Sequence, residues 1–225
     1  MKPSDRTPGK AVLTDMVAYY AKRARILEQV YDIPERQADL AVLKDRVRET
    51  LRDHRVLEIA CGTGYWTTQF AESAEWVLAT DINPECLELA RAKDLPADKV
   101  RFALADAFDL HVDGKFSACF AGFLWSHVLR QEQEGFMLKL RETVGKDCLL
   151  VLMDNTYVEG SSTTIARTDL EGNTFQIRTL ADGERYEVLK NFPTDSALRK
   201  KMGGVVKDIR ILRLENYWML TGRLK

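Results

Sequence analysis

Two kinds of hydrophobic pattern divide the chain. Over residues 11 to about 31, Val12, Met16, Tyr19, Ile26, Leu27 and Val30 recur on one face at helical spacing, which predicts an amphipathic helix. Asp32-Ile33-Pro34-Glu35 interrupts it, and Pro34 suits the first turn of a second helix, where a missing N–H leaves no bond unmade. Leu40, Leu43, Val47 and Leu51 form the apolar stripe of that helix, which ends near Asp53-His54. Beyond it the period changes. Val56–Ile59, Trp76–Asp81, Val100–Ala105, Phe116–Phe123 and Cys148–Met153 are short, nearly continuous apolar runs, as expected of strands buried on both faces. Helical spacing returns between them, over Pro84–Lys93 and over Gln131–Val144, where Phe136, Leu140 and Val144 line up. Such alternation predicts an α/β chain with a parallel sheet between layers of helix. Past Asp154, Thr174–Leu180 and Arg185–Lys190 read as a β-hairpin turning at Asp182-Gly183. Thr194 is suited to cap a helix running to Met202, and Val206–Leu214 and Tyr217–Leu224 supply two last strands.

The chemistry concentrates at the ends of these runs. Gly62 and Gly64 follow the first strand, and without a Cβ they permit a tight turn and close approach of a ligand to the backbone. The helix behind them aims unpaired N–H groups into the same crevice, and Asp81 ends the second strand, where a carboxylate can accept ribose hydroxyls. A dinucleotide site needs a third small residue in G-x-G-x-x-G. Here that position is Thr67, preceded by Tyr65 and Trp66, so a nicotinamide-dependent oxidoreductase is a poor fit. Each residue also has a plainer reading: a tight turn for the glycines, a helix cap for Asp81 before Pro84, a strand-end turn for Asp106. Their joint placement at successive strand ends, where such sheets bind ligands, favours a site.

Glu58-x-Ala60-x-Gly62-x-Gly64 resembles the first motif of the class I S-adenosylmethionine-dependent methyltransferases, departing from it in Ala60 for the first glycine. The resemblance continues through Asp81, through Val100–Phe108 as the third strand with its acid at Asp106, and through Phe116–Phe123 as the fourth, covering roughly residues 56 to 154. It implies a Rossmann-like, doubly wound, seven-stranded mixed sheet with helices on both faces, an N-terminal helical lid, and an inserted β-hairpin after strand 5. It also implies S-adenosylmethionine as cofactor, with S-adenosylhomocysteine as product. The implied cofactor residues are Glu58, Ala60, Cys61, Gly62, Gly64 and Trp66 around the first turn. Asp81 and Ile82 follow at the ribose, then Asp106, Ala107 and Phe108 at the adenine, and Phe123 under the methionine part. Tyr20 would close from the lid, its aromatic face suited to a sulfonium.

The 225 residues suit one methyltransferase domain: a disordered lead over 1–10, the lid over 11–53, the cofactor-binding core over 54–154, the insertion over 156–193, and a helix with an antiparallel strand pair over 194–225. With 45% hydrophobic and 30% charged residues and a net charge of −1, the composition is that of an ordinary globular protein and argues weakly against nucleic acid as partner. No apolar run approaches the roughly 20 residues that span a bilayer, and the first ten residues lack a signal's apolar core. Cys61, Cys86, Cys119 and Cys148 stand singly, without metal-ligand spacing, so no metal site is expected, and reduced thiols in the cytoplasm are.

The expected reaction is metal-independent, in-line methyl transfer to an oxygen or nitrogen of a small molecule. His127, just past the fourth strand, is the candidate base, or else a structural histidine bonded to the backbone. Trp125 can stack on the acceptor or simply pack. Asn155, beside Asp154, and Tyr157 are candidate acceptor contacts. Arg178 and Lys190 in the insertion can pair with an acidic acceptor, or else be solvated at the surface. The alternatives are a tRNA or protein acceptor, disfavoured by the charge and by Gly122-Phe123-Leu124-Trp125 standing where many amino-group methyltransferases carry Asn/Asp-Pro-Pro-Tyr, and a non-catalytic cofactor-binding protein. The insertion is expected to wall the acceptor site, with a homodimer arm as its other reading.

Overall fold

A computed structural model describes residues 11–225, so the lead expected over residues 1–10 lies outside the described residues. The predicted first helix divides into three pieces: a strand β1 (Val12–Leu13), a helix α1 (Met16–Arg23) capped by Asp15, and a 3-10 segment over Ala24–Tyr31. The reason lies in the spacing. Ala24, Leu27 and Val30 recur every third residue, a period that suits three residues per turn better than 3.6. Pro34–Arg36 forms one more 3-10 turn before α2 (Gln37–Thr50).

The core then runs β2 (Arg55–Ile59), α3 (Thr67–Phe70), β3 (Trp76–Asp81), α4 (Pro84–Arg91), β4 (Val100–Leu104), β5 (Ala118–Gly122), α5 (Gln133–Val144) and β6 (Leu149–Asn155). After a further segment containing β7 (Arg167–Thr168), β8 (Thr174–Thr179) and β9 (Arg185–Leu189) come α6 (Asp195–Met202), β10 (Val206–Arg213) and β11 (Tyr217–Leu224). Thr194 caps α6 through Ala197 N, as expected. The main sheet has seven strands in the order β10-β11-β6-β5-β2-β3-β4, parallel except for β11 against its two neighbours. The chain winds outward from β2 through β3 to β4 and then returns to β5, so the strand order reverses beside β2. The crevice at such a switch point is where doubly wound sheets bind ligands.

Both faces of this sheet are covered. Leu57, Leu78, Leu150, Leu152 and Trp218 point to one side and pack with Phe136 and Leu140 of α5 and Leu198 of α6. Their neighbours Val56, Val77, Val151, Met153 and Tyr217 point to the other and meet Leu43 and Val47 of α2, Phe70 and Leu87. This alternation with period two explains the near-continuous apolar strands.

The inserted hairpin is as predicted, with β8 antiparallel to β9, but it is not solitary. β1 joins β9 in parallel, Val12 opposite Arg185, and the second sheet has the order β1-β9-β8-β7. The N-terminal arm and the insertion are therefore one structural unit, sealed by Tyr19 against Tyr186 and Val188. No helix among the described residues is long and apolar enough to cross a membrane.

Gly222 marks a tight point of the sheet. The register between β10 and β11 shifts between Lys207 and Arg210, and the shift lays β10 so close that a Cβ on Gly222 would stand 2.5 Å from Val206 Cγ1 and 2.9 Å from the Lys207 carbonyl oxygen. Gly222→Ala is expected to lower the unfolding free energy by about 1–3 kcal/mol, read as a lower urea midpoint at unchanged slope. An unshifted midpoint would show that β10 yields freely to a methyl group.

Candidate active site

The turn after β2 uses left-handed backbone at Ala60, Gly62 and Gly64, with φ of 55°, 57° and 79°. Asp81 fixes it from the next strand: one carboxylate oxygen accepts from Gly62 N and the other from Asn83 N, both at 2.8 Å. The N-cap of α4 is Asn83, so Asp81 is not a helix cap. It faces a cavity instead, and burial raises its carboxyl above the usual range despite the backbone bonds. Asp106 combines two roles, accepting from Phe108 N in a turn and facing the same cavity. Gly64 lies behind the loop, where a Cβ would meet Ala90 Cβ at 3.1 Å. Thr67, which rules out the dinucleotide pattern, donates to Glu58 at 2.6 Å. Burial raises the Glu58 carboxyl to about 8, which leaves it mostly protonated at neutral pH.

The 3-10 segment covers this loop. Leu27 is the nearest neighbour of a Cβ built on Gly62, at 3.2 Å. Glu28 accepts from Thr63 Oγ1 at 2.6 Å and pairs with Lys93 at 2.9 Å. Tyr31 accepts from Trp66 Nε1 at 3.0 Å and stacks on Tyr65 at a centroid distance of 3.9 Å.

At the far end, the turn after β5 meets the insertion. His127 Nδ1 lies 2.5 Å from the Leu189 carbonyl, which can only accept, so Nδ1 carries the proton. Nε2 lies 2.8 Å from the Tyr20 hydroxyl. Burial first, then the Lys190 charge, pushes the imidazole down to about 3, so the ring is neutral and Nε2 accepts from Tyr20. The backbone-bonded reading of His127 is thus the one the geometry carries, although the ring does face the cavity. Burial also raises the Tyr20 phenol to about 12.

Lys190 overturns the surface reading. Its side chain is 6% exposed, pairs with Asp154 at 2.8 Å and donates to Ser126 Oγ at 2.7 Å. Burial draws the ammonium below the usual lysine range, Asp154 opposes that, and Arg178 and Arg36 add to it. Burial works against ionised Asp154 too, but Lys190 prevails and holds that carboxyl low.

One cavity of about 780 Å³ joins these two ends. Around it stand Glu58, Ala60, Cys61, Gly62, Trp66, Asp81, Ile82, Asp106, Ala107, Phe108 and Phe123 of the expected cofactor residues, Tyr20 from the cover, and Asn155 and His127 from the strand ends. Two expected acceptor residues lie elsewhere. Trp125 is 2% exposed and packs in the core beside Phe136, and Tyr157 lies outside the lining with its ring against Phe192, which does line it. Their places are taken by Arg36, Gln176 and Arg178. Sequence reading missed Arg36 because nothing local marks a 3-10 turn as reaching the site. The same holds for Tyr31, which fell in no motif.

Residues 56–147 match a family described as a methyltransferase domain. Over 72 residues the chain is 35% identical to magnesium-protoporphyrin O-methyltransferase of Rhodobacter capsulatus, a match that covers 31% of this chain and spans about a third, 32%, of that relative. The structure resembles that of DhpI solved with S-adenosylhomocysteine, at a TM-score of 0.75 and 25% identity, over 92% of this chain and 94% of that one. It resembles DhpI solved with S-adenosylmethionine and HEP at 0.76 and 25%, over 92% and 95%. An S-adenosylmethionine-dependent methyltransferase from Clostridium acetobutylicum ATCC 824 shares the fold at 0.62 and 15%, over 92% and 99%.

Glu58 gives the site a pH signature. Its carboxyl titrates near 8 in the folded chain against an ordinary 4.5, so between those values the folded chain keeps a proton that the unfolded chain has released. Its contribution to stability is therefore full below about pH 4.5 and lost as pH rises through 8. Relative to Glu58→Gln, the wild-type protein should lose at most about 1.4 kcal/mol per pH unit across that window, measured by chemical denaturation at stepped pH. Parallel stability curves would mean that Glu58 keeps ordinary acidity.

Proposed function

We propose that this chain, a member of the class I S-adenosylmethionine-dependent methyltransferases, moves a methyl group from that cofactor to an oxygen or nitrogen of a small molecule. The observation that carries this reading is the single roofed cavity running from the loop after β2 to Lys190 and Arg178. Its volume falls within the range of small-molecule sites, about 300–1,000 Å³, and its polar groups point inward beneath a cover, where a folded tRNA or protein surface would not reach.

The residues present fit the cofactor. A Cβ at Gly62 would narrow the loop against Leu27, and the two oxygens of Asp81, each already accepting one backbone N–H, retain further lone pairs for ribose hydroxyls. Asp106, Ala107 and Phe108 would border the adenine, and Phe123 the methionine part. When bound, the cofactor supplies a methyl carbon on a sulfonium whose charge vanishes on transfer.

The chain's own work is to hold and to enclose. Tyr20, Leu27 and Tyr31 roof the cavity and keep water from the reacting atoms. His127 does not fit the part of base: one ring nitrogen is spent on the Leu189 carbonyl, the other accepts from Tyr20, and a group titrating near 3 attracts protons weakly at neutral pH. The acceptor atom therefore brings its own lone pair, as an ionised oxygen or an unprotonated amine does. This restricts the acceptor more than the base expected from sequence would.

Calorimetric titration with S-adenosylhomocysteine, with NAD as control, tests the cofactor site. Saturable binding of the former alone is expected, and Asp81→Asn should weaken it by at least about tenfold. Undiminished affinity in that variant would remove Asp81 from the site, and no binding in the wild-type protein would refute the reading.

A further inference from the structure

We infer that the acceptor carries a doubly charged oxyanion, of the phosphate or phosphonate kind, held between Arg36, Arg178 and Lys190. The inference rests on the reading of the cavity as a methyltransferase site and names the class of molecule it takes.

Three separate elements bring these cations together: the 3-10 turn before α2, the strand β8, and the residue that follows β9. All three face the cavity, and each still has donors to give. An ammonium has three protons. Lys190 commits two, to Asp154 and Ser126, and keeps a third. Arg178 gives one terminal nitrogen to Gln176 Oε1 at 2.7 Å, while its Nε is buried without a partner. Arg36 reaches Ser161 Oγ only at 3.4 Å and otherwise meets the Tyr217 hydroxyl, and its Nε, like that of Arg178, is buried with no partner among the described residues. A buried donor without an acceptor is unfavourable, more so when charged, and two such donors on side chains that line one cavity call for a common acceptor.

The charges set what that acceptor is. Asp154 neutralises Lys190. The other carboxyls that face the cavity, Glu58, Asp81 and Asp106, stand at the ends of β2, β3 and β4, in the cofactor half. Arg23 of α1 also faces the cavity and donates to Tyr19, where it would meet the single carboxylate of the cofactor, so Arg36 and Arg178 leave two positive charges with no carboxylate partner among the described residues. A dianion balances them and a monocarboxylate does not. Planar guanidinium forks also match the paired oxygens of such a group. The unanswered charge further suits an acceptor that arrives ionised, which is the kind a site without a free base can use.

The test uses the full chain saturated with S-adenosylhomocysteine and follows inorganic phosphate by calorimetry at fixed ionic strength, with acetate and chloride as singly charged controls and methylphosphonate as the organic form. Expected is saturable binding of phosphate and methylphosphonate tighter than of acetate, weakened at least about tenfold in Arg178→Gln and in Arg36→Gln, with S-adenosylhomocysteine affinity unchanged in both. Phosphate binding alone, without methylphosphonate, would overturn an organic acceptor of this class. S-adenosylhomocysteine binding with phosphate no better than acetate, or indifferent to both substitutions, would overturn the inference and leave the methyltransferase reading standing. Failure of S-adenosylhomocysteine itself to bind would overturn both.

Discussion

Everything at the insertion end of the cavity hangs on the contact between Lys190 and Asp154. The two charges lie 2.8 Å apart and almost wholly out of solvent, and they join the end of the insertion to the end of β6. Asp154 also accepts from Ser126 N, and Asn191 N donates to the Ser126 carbonyl, so the turn after β5 is fastened from both sides. Its neighbour His127 is thereby set against Leu189. A buried ion pair adds little net stability, because desolvation offsets the attraction, yet losing either partner strands a charge and costs about 3–5 kcal/mol. Its value here is positional: it fixes where the insertion sits relative to the sheet.

The fold and the cavity lining beside β2, β3 and β4 were legible in the sequence because their signals are local. Strands with both faces buried announce themselves as apolar runs, and Gly62, Asp81 and Asp106 each stand at or just past the end of such a run. The hairpin was legible for the same reason, through Asp182-Gly183. The half beside the insertion was not. Lys190 looks like any surface lysine until Asp154, 36 residues earlier, is seen beside it. Arg36 reaches the cavity only because a 3-10 turn aims it there. Trp125 and His127 were placed in the right turn, but which of these two side chains, one residue apart, enters the core and which the cavity depends on the backbone path of that turn. No pattern in the sequence encodes it.

The partition of the first helix carries the same lesson. Val12 was read as the start of a helical stripe, since the two-residue strand that it forms with Leu13 has no period of its own. Their pairing partner on β9 lies far along the chain. Only long-range contact distinguishes the two states, and the result binds the N-terminal arm to the insertion in one sheet. Arm and insertion then approach the cavity together, one bringing Tyr20, the other Arg178 and Lys190.

The cover is fastened at two places, by Glu28 and Tyr31 over the loop after β2, and at the other end by Tyr20 to His127 in the turn after β5 and by Lys22 to Glu184 of the insertion. Those fastenings narrow the mouth of the cavity, so loosening them would speed the traffic of reactants without touching the chemistry. A cover of this kind makes release of spent cofactor a contender for the slowest step of each cycle. The turnover number would then report on the grip of a few side chains at the rim more than on the reactivity of the atoms they enclose.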